Sequence, residues 1–287
     1  MIILKRGISI VFVVHRDLTS KLSYLNKIIK RIPKNIPFIL IYDSILSKEE
    51  NTYIKEKLNA RIKLLQCTNR GKMKAMLHFS DQFTTSHIKI IDHDDNIVWF
   101  SLRKFNRKVK KIDPDCFIWH KAAKVFKDSK IYGKQTTSFF KLVKQLKDSK
   151  DVRWLIPPNA QTLYNTKILQ KISSVEFDRQ RFFNDNFLTL SCQALTKETY
   201  YIKKHIPYIQ FHRFGQTSVV NEQKGWSLVE FFKNLDTLNK NFEIDFSNSN
   251  WNKESSINWL DQQSNQFEEQ KSYYFDNAKI YWDKLWK

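Results

Sequence analysis

His87-Ile88-Lys89-Ile90-Ile91-Asp92-His93-Asp94-Asp95 is a β-branched apolar run that ends abruptly in carboxylates. Such a run fits a strand covered on both faces, as in a parallel sheet, and its polar end marks where the chain leaves the core. Three similar runs precede it. Residues 8–14 are apolar and rich in Ile and Val, Phe38-Ile39-Leu40-Ile41-Tyr42 runs into Asp43-Ser44, and Ile62-Lys63-Leu64-Leu65 is a shorter third. Helical segments lie between them. Residues 20–31 carry Leu22, Leu25, Ile28 and Ile29 at helical spacing before Pro33; residues 48–58 form the second; Arg70-Gly71-Lys72 opens a third that reaches His78 or Phe79. Strand and helix in strict alternation predict a doubly wound α/β sheet. Right-handed crossovers put the carboxyl ends of its strands on one edge, where such sheets bind ligands. His15-Arg16-Asp17, Asp43-Ser44 and the acidic cluster at 92–95 all fall at those ends.

Composition limits the function classes. The chain has 287 residues, 41% hydrophobic and 14% aromatic, with 5 Gly and 6 Pro, which excludes collagenous, low-complexity and largely disordered classes. Lys and Arg number 49 against 29 acidic residues, a net charge of +20 that points to a polyanionic partner. The charge is uneven. Residues 221–287 hold 8 basic and 11 acidic residues, net −3, so residues 1–220 carry 41 against 18, net +23. A boundary near 220 is therefore expected.

The 3 cysteines, Cys67, Cys116 and Cys192, lack metal or disulfide spacing and fit a reducing cytosol. Residues 1–14 have basic residues ahead of an apolar stretch, but that stretch is short, lacks a small-residue cleavage site and reads as a strand rather than a signal peptide. No run approaches the roughly 18 apolar residues of a membrane span. A soluble or peripheral cytoplasmic protein is expected.

Beyond Trp99 the pattern weakens into a basic run containing Arg103, Lys104, Arg107, Lys108, Lys110 and Lys111. Strands are expected at 115–119 and 125–132, a loop after 154–158, helices at 166–172, 179–192 and 226–238, and one long final helix over 256–286. Five of the 8 Trp fall after residue 220.

The sharpest constellation is Asp92-His93-Asp94. Two carboxylates one residue apart at a strand exit offer hard oxygen ligands for Mg²⁺ or Mn²⁺, which in turn holds a diphosphate. The competing reading is a turn or a helix cap.

These segments together resemble, in order and spacing, the family 2 glycosyltransferases of the GT-A fold. Residues 8–16, 38–44, Arg70-Gly71-Lys72-Met73-Lys74-Ala75 and 87–95 are similar to the family's first strand, its second strand ending in Asp, its basic or Gly-containing helix start and its D-x-D strand. Pro157-Pro158-Asn159-Ala160-Gln161-Thr162-Leu163-Tyr164 resembles the acceptor-side loop, Phe183-Asn184-Asp185-Asn186-Phe187-Leu188 the E-D motif, and residues 208–218 the aromatic-Arg-x-x-x-Ser stretch. The likeness spans 7–220. It departs at Val14-His15-Arg16, where Pro-x-Tyr-Asn is common, at Asp43-Ser44-Ile45 in place of Asp-Gly-Ser, and at Asn184 in place of an acid.

The resemblance implies a Rossmann-like mixed sheet flanked by helices, with 1–110 the nucleotide-binding half, 111–220 the acceptor half and 221–287 a helical aromatic extension. It implies inverting, metal-dependent transfer of a hexose or N-acetylhexosamine. The donor would be a nucleotide-diphosphate sugar, UDP favoured, and the acceptor a hydroxyl of a surface polysaccharide or lipid-linked glycan. By it, Val14, His15 and Arg16 contact the nucleotide, Asp43 the base or ribose, and Arg70 and Lys72 border it. Asp94 binds Mn²⁺ or Mg²⁺, with Asp92 chelating too or holding the ribose, and His212 is a candidate third ligand against an aromatic-lined core position. Asp185 is the general base, against the alternative of a charge complementing a helix N-terminus. A free Asp, with a pKa near 3.9, is ionised at pH 7 and needs positioning more than activation.

A rival class is a non-enzymatic nucleic-acid-binding protein using the basic 1–220 surface, although no helix-turn-helix, zinc-finger, RNP or KH pattern is present. The basic runs themselves are open to three readings: a solvated face, attraction of a phosphate-bearing substrate, or contact with anionic lipid at the inner face of the cytoplasmic membrane. The aromatic tail is either packing within its own domain or a membrane or partner surface.

Overall fold

In a computed structural model the chain is described at residues 3–14, 17–68, 71–92, 96–97, 99–120, 123–126, 162–178, 184–196, 198–202, 208–212, 221–244 and 251–286. The four apolar runs are β1 (Lys5–Val14), β2 (Phe38–Tyr42), β3 (Ile62–Gln66) and β4 (Thr85–Asp92). They pair in parallel in the order β3-β2-β1-β4. Burial on both faces explains their composition: every residue of β1 from Gly7 onward is buried. The crossovers are α1 (Leu18–Ile29), α2 (Lys48–Lys57) and α3 (Lys72–His78). Ser47 and Glu50 close a reciprocal capping box at the start of α2.

The rest of the sheet is β6 (Phe117–His120), β8 (Thr162–Asn165) and β9 (Thr199–Ile202). β8 runs antiparallel to both β4 and β6, and β9 parallel to β6, so the seven strands form a mixed sheet ordered β3-β2-β1-β4-β8-β6-β9. A second sheet joins β5 (Asn96–Ile97), β10 (Tyr208–His212) and β7 (Ala123–Phe126) in the order β5-β10-β7. The helices α4 (Trp99–Val109), α5 (Thr166–Ser173) and α6 (Asn184–Ala194) lie between these strands, and α7 (Asn221–Phe242), α8 (Lys253–Ser264) and α9 (Lys271–Leu285) follow. This is the mixed α/β sheet with C-terminal helices that was expected.

Side chains of the sheet feed two cores. Ile10, Phe12, Leu40 and Ile91 pack with α1 and α4 on one side. Val11, Val13, Ile41, Ile88 and Ile90 belong on the other to a cluster that continues through α6 into Leu228, Phe231, Trp251, Trp259 and Trp282. The C-terminal helices thus cover one face of the sheet. Phe231, Phe232, Trp251 and Trp259 meet at ring-centroid distances of 5.0–6.1 Å. The Trp282 indole donates to Ser256 Oγ at 2.8 Å, tying α9 to α8.

Three expectations change. The single helix over 256–286 is two helices separated by a 3-10 turn, Asn265–Gln270. Ser264 Oγ donates back to the Leu260 carbonyl at 2.8 Å, a bond that favours a bend, and Phe267 in the turn is buried against Tyr274. The basic run after Trp99 holds a helix, α4, whose Leu102, Phe105 and Val109 are buried. The strand expected over 125–132 is described only as β7, residues 127–161 lie outside the described residues, and of the expected acceptor-side loop at 157–164 only Thr162, Leu163 and Tyr164 are described, as part of strand β8.

Candidate functional site

Parallel pairing brings the carboxyl ends of β1, β2 and β4 level. Val14 is opposite Tyr42, and Val13 is opposite Asp92. Asp43, one residue beyond β2, donates its N–H to the Val14 carbonyl at 2.9 Å. Two strand spacings of about 4.8 Å separate β2 from β4, so the Asp43 and Asp92 backbones stand roughly 10 Å apart with the end of β1 between them.

Asp43 is 2% exposed. Its Oδ1 accepts from the Cys67 thiol at 3.2 Å and its Oδ2 from the Gly71 N–H at 2.6 Å. The second bond anchors the start of α3 to the end of β2. Gly71 has φ +82°, a left-handed conformation that a side chain would strain, which explains a glycine there.

The next residue makes the connection across the molecule. Lys72 Nζ lies 3.0 Å from Asp185 Oδ1 and 3.1 Å from Oδ2, with the two side chains 11% and 30% exposed. Asp185 stands in the first turn of α6, where a negative charge complements the helix dipole. Buried Phe187, Leu188 and Leu190 hold α6 in the core, and Phe187 meets Phe177 edge-on at 5.1 Å.

Of the residues singled out in the sequence, Val14, Asp43, Lys72 and Asp185 therefore occupy one connected region. Val14 is buried and contributes its backbone carbonyl. Asp92 ends β4, where its backbone pairs with Val13, and His212 ends β10, where its backbone pairs with Phe126. β10 is antiparallel to β5 through Tyr208↔Ile97 and Ile209↔Asn96, so it runs on past the amino end of β5 toward His212. His15, Arg16, Arg70 and Asp94 lie outside the described residues. Among those described, no three His, Cys, Asp or Glu side chains gather as a metal site.

Sequence reasoning passed over two residues. Cys67 has no motif that announces it, yet it holds Asp43 together with the N–H of Gly71 from the expected helix start. Lys89 is 1% exposed in the strand that carries the acidic cluster, and its Nζ donates to the Thr162 carbonyl at 3.2 Å. A lysine inside an apolar strand was the available signal. Cys116, Cys192 and His87 are further buried ionisable groups. Burial pushes the Cys116 and Cys192 thiols up to about 12. Burial also holds His87 down at about 4, and its Nε2 and Nδ1 face the Cys116 carbonyl and Ser86 Oγ at 3.0 and 3.1 Å. Among the described residues no helix is long and apolar enough to cross a membrane.

No protein-family model matches the sequence, and no curated protein matches it. The fold has clear counterparts. Residues 1–349 of TarS from S. aureus, solved in complex with UDP-GlcNAc, superpose with a TM-score of 0.54 at 16% identity, covering 97% of this chain and 89% of that one. The same TarS fragment with UDP gives a TM-score of 0.55 at 14% identity. Mannosyltransferase PcManGT from Pyrobaculum calidifontis, in complex with GDP-Man and Mn²⁺, gives 0.53 at 9% identity over 96% of this chain and 74% of its own. The mixed seven-stranded sheet with its C-terminal helices is a GT-A-like glycosyltransferase fold.

Proposed function

We propose that this protein is an inverting, metal-dependent glycosyltransferase of the family 2 type. It moves a hexose or N-acetylhexosamine from a nucleotide-diphosphate sugar to a hydroxyl of a surface polysaccharide or other glycan acceptor. The observation that carries this reading is the contact of Lys72 with Asp185, which joins the helix start beside the nucleotide edge to the carboxylate assigned as base. The neighbouring structures, in complex with UDP-GlcNAc, UDP and GDP-Man, support a nucleotide-sugar donor.

In this reading the donor lies over the end of β1, between Asp43 and the Asp92 end of β4. Asp43 receives the nucleoside, while its bonds to Cys67 and Gly71 keep the loop beneath it in place. Asp185 takes the proton of the acceptor hydroxyl as its oxygen attacks the anomeric carbon. The new C–O bond forms opposite the breaking one, the diphosphate leaves with the electron pair, and the configuration inverts. Lys72 holds the base against the donor side, which supplies the positioning that an already ionised carboxylate needs. The donor set of Asp92 and Asp94, hard oxygens at a strand exit, suits Mn²⁺ or Mg²⁺. With His212 as a candidate further ligand, such an ion would neutralise the leaving diphosphate.

The test is thermal stabilisation by UDP, GDP, CDP and CMP, each with and without Mn²⁺, beside a short oligonucleotide. A ligand at 100 times its Kd adds about 2.7 kcal/mol. A metal-dependent shift with one nucleoside diphosphate, lost in Asp94→Asn, is expected; NMR of the transferred sugar should then show the inverted anomer. A salt-sensitive shift with the oligonucleotide alone would replace this reading with nucleic-acid binding.

A further inference from the structure

The opposite end of the sheet carries a second site. There α4 and the segment after α1 enclose a cavity of about 720 Å³ whose lining includes Arg31, Lys34, Arg103, Arg107 and Lys110. A smaller cavity of about 300 Å³ beside it adds Lys5 and Arg6 and shares Lys34 and Lys110. Among the described residues no carboxylate lines either cavity and none of these seven cations forms an ion pair. Cations gathered in this way repel one another unless an anion joins them.

The arrangement is built into the fold. Gly7, at φ +127°, lets α4 approach β1 so closely that a Cβ there would stand 2.7 Å from Asn106 Oδ1. That oxygen instead accepts the Ile8 N–H at 3.0 Å, while Asn106 is 3% exposed. Arg103, Arg107 and Lys110, at helical spacing around Asn106, are thereby fixed beside Lys5 and Arg6.

Apolar side chains project at the same end. Phe100 lines the larger cavity yet is 69% exposed, and Ile3, two residues before Lys5, is 88% exposed. Exposed apolar side chains among basic ones form a surface that anionic lipid satisfies on both counts. A nucleic acid would use the ring of Phe100 but has nothing to offer an aliphatic Ile3. A phosphate on the reacting sugar itself is excluded by distance. β1 runs ten residues from Lys5 to Val14, so about 30 Å separates its amino end, beside these cavities, from the carboxyl edge.

We infer that this end of the protein docks on an anionic phospholipid surface, with a lipid phosphate in the Arg103–Arg107–Lys110 cavity and Phe100 and Ile3 entering the acyl boundary. On the glycosyltransferase reading, the site then faces away from the bilayer. It is reached by an acceptor chain extending roughly 30 Å, not by a single sugar on a short lipid.

Docking is tested by co-sedimentation with vesicles of phosphatidylcholine alone and of phosphatidylcholine with about a third phosphatidylglycerol. Binding only to the second, reduced by salt, is expected. The triple variant Arg103→Gln/Arg107→Gln/Lys110→Gln should weaken it roughly a hundredfold. Phe100→Ser should weaken it with the salt dependence unchanged. The control Lys48→Gln/Lys55→Gln/Lys57→Gln, which removes equal charge on the exposed face of α2, should retain most of the binding. Equal loss in both triple variants would show a diffuse field and overturn the site. Failure of the wild type to bind the anionic vesicles would overturn docking altogether, as would preference for an oligonucleotide that the first triple variant abolishes. Melting temperature and stabilisation by nucleotide are read on the same samples, so failure of the catalytic reading is seen separately.

Discussion

At the scale of single residues, Asp185 and Lys72 make different predictions although they touch. Asp185→Asn keeps the shape of the side chain but removes the proton acceptor. Transfer should fall by about 10²–10⁴-fold in kcat, while the stabilisation given by the nucleotide persists. Undiminished transfer in this variant would remove Asp185 from the mechanism. Lys72→Met leaves the carboxylate intact and removes its holder. It should lower kcat less than Asp185→Asn and cost about 1–2 kcal/mol of stability in urea unfolding, below the cost of breaking a fully buried pair because Asp185 is 30% exposed. If Lys72→Met leaves both kcat and the unfolding midpoint unchanged, the ion pair has no part in positioning.

At the scale of elements, two glycines record where helices come close. Gly7 admits α4 to the end of β1. Gly225 does the same for α7 against α9, since a Cβ there would overlap the ring of Tyr274, which is itself buried. Gly225→Ala gains helix propensity but must displace that ring. A net loss of about 1–3 kcal/mol is expected, and the paired change Gly225→Ala/Tyr274→Leu should recover part of it. A stabilised Gly225→Ala protein in thermal melting would mean that α9 gives way freely. The caps behave more locally. Ser47→Ala opens the capping box of α2 and should cost about 1 kcal/mol.

For the molecule as a whole, the informative titration is His87, buried within the amino-terminal half of β4 and away from the candidate site. Burial lowers its folded pKa from 6.5 to about 4, so the imidazole stays neutral in the fold and protonates first in the unfolded chain. Its contribution is fully present above pH 6.5 and is lost as pH falls from 6.5 toward 4, up to about 3 kcal/mol. The unfolding free energy of the wild type should drop over that window, and His87→Gln should flatten the drop. An identical slope in the variant would assign the acid sensitivity to carboxylates elsewhere. The wider packing follows the same logic of burial: one core face of the sheet is completed by Trp251, Trp259 and Trp282 from the acidic, aromatic end of the chain.

The parallel strands and their crossovers were legible because burial on both faces imposes an apolar composition that survives in one dimension, and the carboxylates at their exits stood out against it. Asp43 and Asp185 were legible as polar residues at element boundaries. α4 was hidden because Phe100, Arg103, Lys104, Arg107 and Lys108 are exposed, and its Arg and Lys mask the spacing of Leu102, Phe105 and Val109. The break between α8 and α9 escaped notice because a bend needs the buried Phe267 as an anchor, and burial is not written in a polar stretch. Local sequence thus determined which segments are strands and helices and which polar residues end them, since propensity and periodicity act over a few neighbours. Only tertiary structure decided that Gly71 binds Asp43, that Lys72 meets Asp185 113 positions away, and that seven cations from three separate segments share one end of the sheet. Those contacts depend on the register of strands and the docking of helices, which the whole core sets at once.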